Sequence, residues 1–129
     1  MNIKKKFTVV EVVVAIILLS ATVAGVLFVQ NQVEKVDRDR QRKTAINTMH
    51  YSLQEVYFPK NRSYPKTIDE KTLPSTDPAF FTDPRGNKIG TQQSDYTYQP
   101  LACEANSCRS YILRTKLENE VDFVRRPED

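Results

Sequence analysis

A nearly unbroken run of apolar residues extends from Phe7 to Val29 and is interrupted early by one acid, Glu11. A run of about 20 apolar residues is long enough for one helix to cross the hydrocarbon core of a bilayer. A carboxylate inside such a segment costs roughly 2.5–3.5 kcal/mol even on lenient insertion scales, so it is expected to have a partner and a role. The pattern therefore predicts a membrane-spanning helix that carries one acid of functional interest.

The helical pattern continues beyond the apolar run. Pro59 is the first proline of the chain, and Gly25 is the only glycine before it, which predicts one continuous helix from Phe7. Pro59 and the turn-rich residues 60–65 are expected to stop this helix. In the second half of this helix, Asp39 and Lys43 have the i,i+4 spacing of a surface ion pair. Apart from a polar gap around Arg40 to Lys43, apolar residues recur there at spacings of three and four and predict a face that covers a sheet: Val33, Val36, Ile46, Met49, Leu53 and Val56.

The remainder of the chain is polar and rich in turn residues. Residues 60–94 are expected to form a long loop, and residues 95–99 and 110–117 have the aromatic and β-branched content of two strands in an antiparallel hairpin. The charged tail, residues 118–129, either adds a short strand or stays loose. A few apolar side chains are expected to anchor the loop and the tail: Ile68, Leu73, Phe80, Phe81, Val121, Phe123 and Val124.

These elements predict an α+β chain in which a long N-terminal helix packs on a small antiparallel sheet. Its 129 residues divide into a basic leader (1–6), a membrane-spanning half of the helix (7–33) and one small head domain (34–129). The lysines of the leader place the leader in the cytoplasm and the head outside it. A second basic cluster beyond the apolar run argues for the opposite orientation: Arg38, Arg40, Arg42 and Lys43. Basic residues on the N-terminal side of the first membrane helix usually decide the orientation, so a head outside the cytoplasm is preferred.

The two cysteines, Cys103 and Cys108, lie close together in a polar stretch between the two predicted strands. Such a pair is typical of a local disulfide in an oxidising compartment, and two free thiols are the alternative. A structural zinc site would need further ligands, and the sole histidine, His50, is far away in the sequence.

The chain offers few residues for other chemistry. One histidine and no convergent acid, base and nucleophile argue against an enzyme. Four loop residues could supply oxygen ligands, but they do not have EF-hand spacing: Asp77, Asp83, Asn87 and Asp95. We interpret them as turn residues and keep a calcium site as the alternative.

The net charge of +3 does not demand nucleic acid as a partner. Basic residues near both ends of the second helix half could form a stripe for DNA, but salt bridges between subunits and solvation are favoured: Arg38, Arg40, Arg42, Lys43, Lys60, Arg62 and Lys66.

The basic leader, the segment Phe7-Thr8-Val9-Val10-Glu11 and the long helix that leads to a small β head together resemble the type IV pilin and pseudopilin family. The resemblance covers the whole chain, and its most specific part is Phe7 to Ile16. Weaker signals lie in the head: Tyr64-Pro65, Asp83-Pro84-Arg85-Gly86-Asn87, Tyr96, Tyr98, Tyr111 and Leu117-Glu118.

The resemblance implies that a prepilin peptidase cleaves between Lys6 and Phe7, that the new amine of Phe7 is methylated, and that subunits pack into a filament by their helices. Glu11 would then pair with the N-terminal amine of its own or a neighbouring subunit, because an unpaired charge between packed helices is costly. The family normally has glycine before the cut, whereas this chain has Lys6. A divergent peptidase, a retained leader and a chain that is only pilin-like all remain open. If the leader stays, Lys6 or Lys5 would supply the cation.

The expected function is therefore that of a structural subunit of a type IV pilus at the cell membrane and surface, serving attachment, surface motility or DNA uptake. Its expected partners are copies of itself, other pilins, the prepilin peptidase and the pilus assembly platform, and it needs no cofactor. Two alternatives are a pseudopilin of a type II secretion system and a non-polymerising, signal-anchored envelope binding protein.

Overall fold

The computed structural model of the chain describes residues 7–128 and consists of one long helix and a small antiparallel sheet. Helix α1 extends over Val9–Tyr51. The sheet contains β1 (Tyr64–Pro65), β2 (Tyr96–Glu104), β3 (Ser107–Thr115) and β4 (Phe123–Arg125). The chain divides into two compact units, Met1–Glu34 and Lys35–Asp129. The predicted combination of a long N-terminal helix and a small antiparallel sheet is confirmed.

The backbone remains helical beyond Pro59. A π-helical segment, Ser52–Tyr57, follows α1 and leads into α2, Phe58–Asn61. Pro59 lies in the first turn of α2, where a helix tolerates a residue without an N–H group. The helix therefore ends at Asn61, within the predicted stop from Pro59 to Pro65, although Pro59 itself is helical. The next residue, Arg62, has a left-handed φ of 54° and closes the helix end.

The sheet is built around β3. Strand β2 pairs with β3 along its length, from Tyr96 opposite Thr115 to Glu104 opposite Ser107, and forms the predicted hairpin with strands longer than expected. Strand β1 pairs with the start of β3, and β4 pairs with its end. The tail therefore does add a short strand. The loop contains β1 and a 3₁₀ helix (Pro78–Phe81) that the sequence did not predict, because elements this short leave no periodic pattern.

The core of the head lies between the second half of the helix and one face of the sheet. Helix residues Ile46, Met49 and Leu53 are fully buried, as are Tyr111 and Leu113 of β3. The predicted anchors of the loop also take part, with Ile68, Leu73 and Phe81 buried and Phe80 packed against them. The predicted apolar face is thus confirmed at Ile46, Met49 and Leu53, and Val56 is half-buried. Val33, Val36 and the predicted tail anchor Val121 are exposed.

The two cysteines form a disulfide between directly opposed positions of β2 and β3. Cys108 is fully buried, whereas Cys103 is exposed near the turn of the hairpin. The predicted local disulfide is therefore present. It joins the two strands next to their turn and covalently fixes the register of the hairpin at that end.

Candidate functional site

The apolar side chains in the N-terminal half of α1 are not covered by any other described part of the chain. Every residue from Phe7 to Glu34 is exposed, and large side chains such as Leu19 and Phe28 are 67% and 66% accessible. Among residues 7–128, one helix, Val9–Asn61, is long and apolar enough to cross a membrane. Because exposed apolar area of this extent is unfavourable in water, it needs a bilayer or the apolar surface of another protein to cover it.

The acid of this segment has a partner within the chain. The N–H and the hydroxyl of Thr8 donate to Oε2 of Glu11 at 3.0 and 3.2 Å. In return, the N–H of Glu11 donates to the Thr8 hydroxyl oxygen at 3.3 Å. Since α1 begins at Val9, Thr8 is the N-cap and Glu11 the third helical residue, which is the geometry of a capping box. The acid therefore satisfies donors at the helix start and lies favourably near the positive end of the helix dipole.

Sequence reasoning identified Glu11 but missed Thr8. The signal was present, because a threonine followed three residues later by a glutamate before an apolar run predicts a capping box. The leader, residues 1–6, including Lys5 and Lys6 with the predicted cleavage position, lies outside the described residues. Phe7, on the other side of that position, is exposed.

A second site lies in the head, where a fully buried arginine is surrounded by acids. Arg42 donates from Nε and Nη2 to Oδ2 of Asp95, at 3.1 and 2.8 Å. Its Nη1 donates to Asp39 and to Glu118, each at 2.9 Å. The guanidinium thus joins α1 to the start of β2 and to the segment after β3.

The acids of this cluster have further partners. Both carboxylate oxygens of Glu118 accept hydrogen bonds from Arg38, at 2.7 and 2.8 Å. The oxygens of Asp39 accept the backbone N–H groups of Glu118 and Asn119 at 2.9 to 3.1 Å. Among the described residues, no buried side-chain nitrogen or oxygen lacks a hydrogen-bond partner. The cluster is therefore fully satisfied, which a buried polar network must be if it is to stabilise a fold.

These contacts correct two sequence interpretations. Arg42 is not a surface cation available for DNA, a neighbouring subunit or solvent, because it is buried within the head. The predicted Asp39–Lys43 pair is also wrong, since Asp39 binds Arg42 and Lys43 reaches Glu120 at 2.7 Å. Asp39 and Arg42 are an i,i+3 pair on the helix, whereas Asp95, Glu118 and Glu120 are 53 to 80 residues from the cations that they bind, so helical spacing could not reveal these three.

The charges of the cluster shift the pKa values of Arg42 and Glu118. Burial alone would lower the pKa of Arg42, but hydrogen bonds and the negative charges of Glu118 and Asp95 outweigh burial and raise it. For Glu118, the hydrogen bonds from Arg38 and then Arg42 outweigh burial and lower the pKa from 4.5 to about 2. Glu118 therefore keeps its negative charge further into the acid range than an ordinary glutamate does.

Acid is expected to destabilise the head through Glu118. Its pKa is lower in the folded head than in the unfolded chain, so its contribution is complete above a pH of about 4.5 and is lost as the pH falls toward about 2. The free energy of unfolding, measured by urea titration across this range, should decrease less steeply with pH in Glu118→Gln than in the wild type. Glu104→Gln, at an exposed acid of β2, is the control and should retain the wild-type slope. Equal slopes for Glu118→Gln and the wild type would contradict the assignment.

Of the loop acids considered for calcium, Asp83 and Asp77 bind backbone amides, and Asp95 binds Arg42. Oδ1 of Asp83 accepts the N–H groups of Arg85 and Asn87, and Oδ2 accepts that of Asp95. Burial alone would raise the pKa of Asp83, but these hydrogen bonds outweigh it and lower the pKa. Asp77 caps the 3₁₀ helix through the N–H of Ala79. Within residues 7–128, no group of three or more His, Cys, Asp or Glu side chains is placed to hold a metal ion.

The remaining sequence candidates lie on the head surface or at its edge. Nδ1 of His50 lies 2.8 Å from the hydroxyl of Tyr111, within hydrogen-bond distance. Lys60, Arg62 and Lys66 are exposed.

No protein-family model, curated protein or solved structure matches this chain. The family resemblance therefore remains a prediction drawn from the residues themselves.

Proposed function

We propose that this chain is a structural subunit of a type IV pilus or a related filament, anchored in the membrane by the first half of α1 before assembly. The observation that carries the proposal is the uncovered apolar helix with an acid in its first turn. Lipid covers this surface in the single subunit, and the helices of other copies cover it in the filament. Burial of the apolar side chains, at about 25 cal/mol per Å², favours polymerisation.

In this proposal Glu11 sets the position of each subunit relative to the next. Cleavage before Phe7 would create an amine close to the start of α1, and the carboxylate of Glu11 would pair with that amine on its own or a neighbouring subunit. The capping box with Thr8 supports this role, because it holds the carboxylate at the helix start before any partner arrives. A charge pair between packed helices is costly when either member is missing, so only subunits in the correct register would add.

The head would form the outer part of the fibre and lie outside the cytoplasm. Its disulfide supports this placement, since such bonds persist in oxidising compartments. Attachment, surface motility or DNA uptake would be properties of the assembled fibre. The proposed function needs neither a catalytic site nor a bound cofactor in this chain.

Electron microscopy of cells with and without the gene tests the proposal. Loss of long surface fibres on deletion, and their return on complementation, is the expected result. A secretion defect with no change in fibres would instead identify a pseudopilin of a type II secretion system. No change in either property would contradict a role in a filament.

A second candidate, a non-polymerising anchored protein, is favoured by Lys6, because a long cation stands where the family has glycine. The capping box also gives Glu11 a partner in a chain that keeps its leader. Intact mass and N-terminal sequencing of the native protein separate the two candidates. A chain that begins at a methylated Phe7 supports the filament, whereas an intact leader on a protein that remains monomeric supports the anchored protein.

A further inference from the structure

The head contains a polar surface cavity of about 490 Å³ in which basic side chains outnumber acidic ones. Four of its charged side chains are basic and two are acidic, and they come from distant parts of the sequence. Amide and hydroxyl groups of residues 92–94 add neutral hydrogen-bonding groups. The charged lining residues are Lys35, Arg42, Arg85, Lys116, Asp95 and Glu118.

The acids of this cavity already bind cations from inside the head. Oδ2 of Asp95 accepts two hydrogen bonds from Arg42, and both oxygens of Glu118 are held by arginines. Lys35 and Lys116, by contrast, form no ion pair with any residue in the described part of the chain. Arg85 approaches Asp95 only to 3.7 Å, with its side chain 58% accessible. Three cations are therefore left to face a ligand, which favours an anion.

The position of Lys35 in the chain indicates which anion. Only five residues lie between it and Val29, the last residue of the apolar run, so it lies within about 20 Å of that run even if the intervening chain is fully extended. If the apolar run crosses a bilayer, this basic cavity is tethered close to the lipid headgroups. Basic groups near a membrane surface bind anionic lipid headgroups, each Lys or Arg contributing roughly fivefold in affinity.

We propose that this cavity binds the phosphate of an anionic phospholipid headgroup in the leaflet next to the head. Arg85 can present two parallel N–H donors to phosphate oxygens, and the two lysines add point charges. Such binding would hold the head against the membrane while the subunit is anchored. The inference depends on the membrane helix and not on filament assembly, so the two proposals can fail separately.

The test uses the full chain in maltoside micelles, which contain no phosphate. A short-chain phosphatidylglycerol is titrated while the backbone amide resonances of residues 92–95 and Lys116 are followed by NMR. Saturable shifts at these positions are expected. In the double variant Lys35→Gln/Lys116→Gln, binding should weaken by about 25-fold, since each lysine contributes roughly fivefold. The control, Lys60→Gln/Lys66→Gln, removes the same charge from exposed positions outside the cavity and should change affinity less than about twofold.

Parallel titrations with inorganic phosphate and with a short single-stranded oligonucleotide identify the source of the phosphate. Tighter binding of phosphatidylglycerol than of either alternative supports a lipid site. Tighter binding of free phosphate or of the oligonucleotide at the same amides would overturn the lipid proposal. Absence of saturable shifts, or an equal loss of affinity in both double variants, would overturn it as well.

Discussion

Replacement of Glu11 by glutamine is expected to abolish filament assembly while the subunit still inserts into the membrane. Glutamine can replace glutamate in a capping box, so the contacts with Thr8 that begin the helix can be retained. The negative charge is lost, however, and the amine that it would meet in the filament is left unpaired. Removal of one member of a buried charge pair costs about 3–5 kcal/mol, which corresponds to a more than 100-fold loss in the equilibrium constant for adding each subunit.

The measurement is the yield of sheared surface fibres from cells in which the variant is the only copy, with membrane-bound subunit quantified in parallel. Glu55→Gln, at an exposed acid of the π-helical segment, is the matched control and should give normal fibres. Thr8→Val separates capping from charge, because it removes the hydroxyl and keeps the carboxylate. It should weaken helix initiation by about 1 kcal/mol and lower the yield only partly.

The result that would contradict the proposed role is a normal fibre yield from Glu11→Gln together with a failure of Glu11→Ala. That combination would show that the acid serves only as a helix cap. Normal yields from both variants would remove Glu11 from the assembly mechanism altogether.

Replacement of Arg42 by methionine is expected to destabilise the head by about 3–5 kcal/mol, because it leaves Asp39 and Asp95 buried without this cation. Asp39, Asp95 and Glu118 all bind this guanidinium. Small domains are stable by only about 5–15 kcal/mol, so the variant is expected to lie close to the limit of folding. Arg42→Lys keeps the charge but loses the planar fork that reaches three carboxylates, and an intermediate loss is expected.

The free energy of unfolding is to be measured on the full chain in non-ionic detergent, by urea titration with near-ultraviolet circular dichroism. The chain has six tyrosines and no tryptophan, and several of the tyrosines lie in the core of the head. Arg40→Met is the matched control, since Arg40 lies on the same helix but is exposed, and it should change stability by less than about 0.5 kcal/mol. Similar losses for the Arg40 and Arg42 variants would show that the cluster is not a source of stability.

The sequence predicted the elements that have a strong local pattern. The apolar run, the amphipathic half of the helix, the β-hairpin and the disulfide all follow from spacing and composition, and the structure contains each of them. The two residues of β1 and the π-helical segment could not be predicted, because neither has a periodicity of its own. Tertiary contacts place these short elements.

The Arg42 cluster was missed for a different reason. Along the helix, Arg42 stands among other charged residues, a composition typical of a solvated surface. Asp39 is near it on the helix, but Asp95 and Glu118 belong to the start of β2 and to the segment after β3, so only the folded chain completes the cluster. At the N-terminus the opposite occurred. The Thr8–Glu11 pair has the local spacing of a capping box and could have been predicted from the sequence. The cost of an acid in a membrane instead favoured an N-terminal amine as the partner of Glu11.

The carboxylate of Glu118 bridges Arg38 and Arg42, which lie one helical turn apart. The segment after β3 is thereby bound to two successive turns of α1, and Asp39 between them holds the backbone of the same segment. In a fibre of the kind proposed, traction along the helix would load these contacts in shear. Sliding by one turn would have to break both ionic contacts at once, so the head would resist being dragged along its own helix.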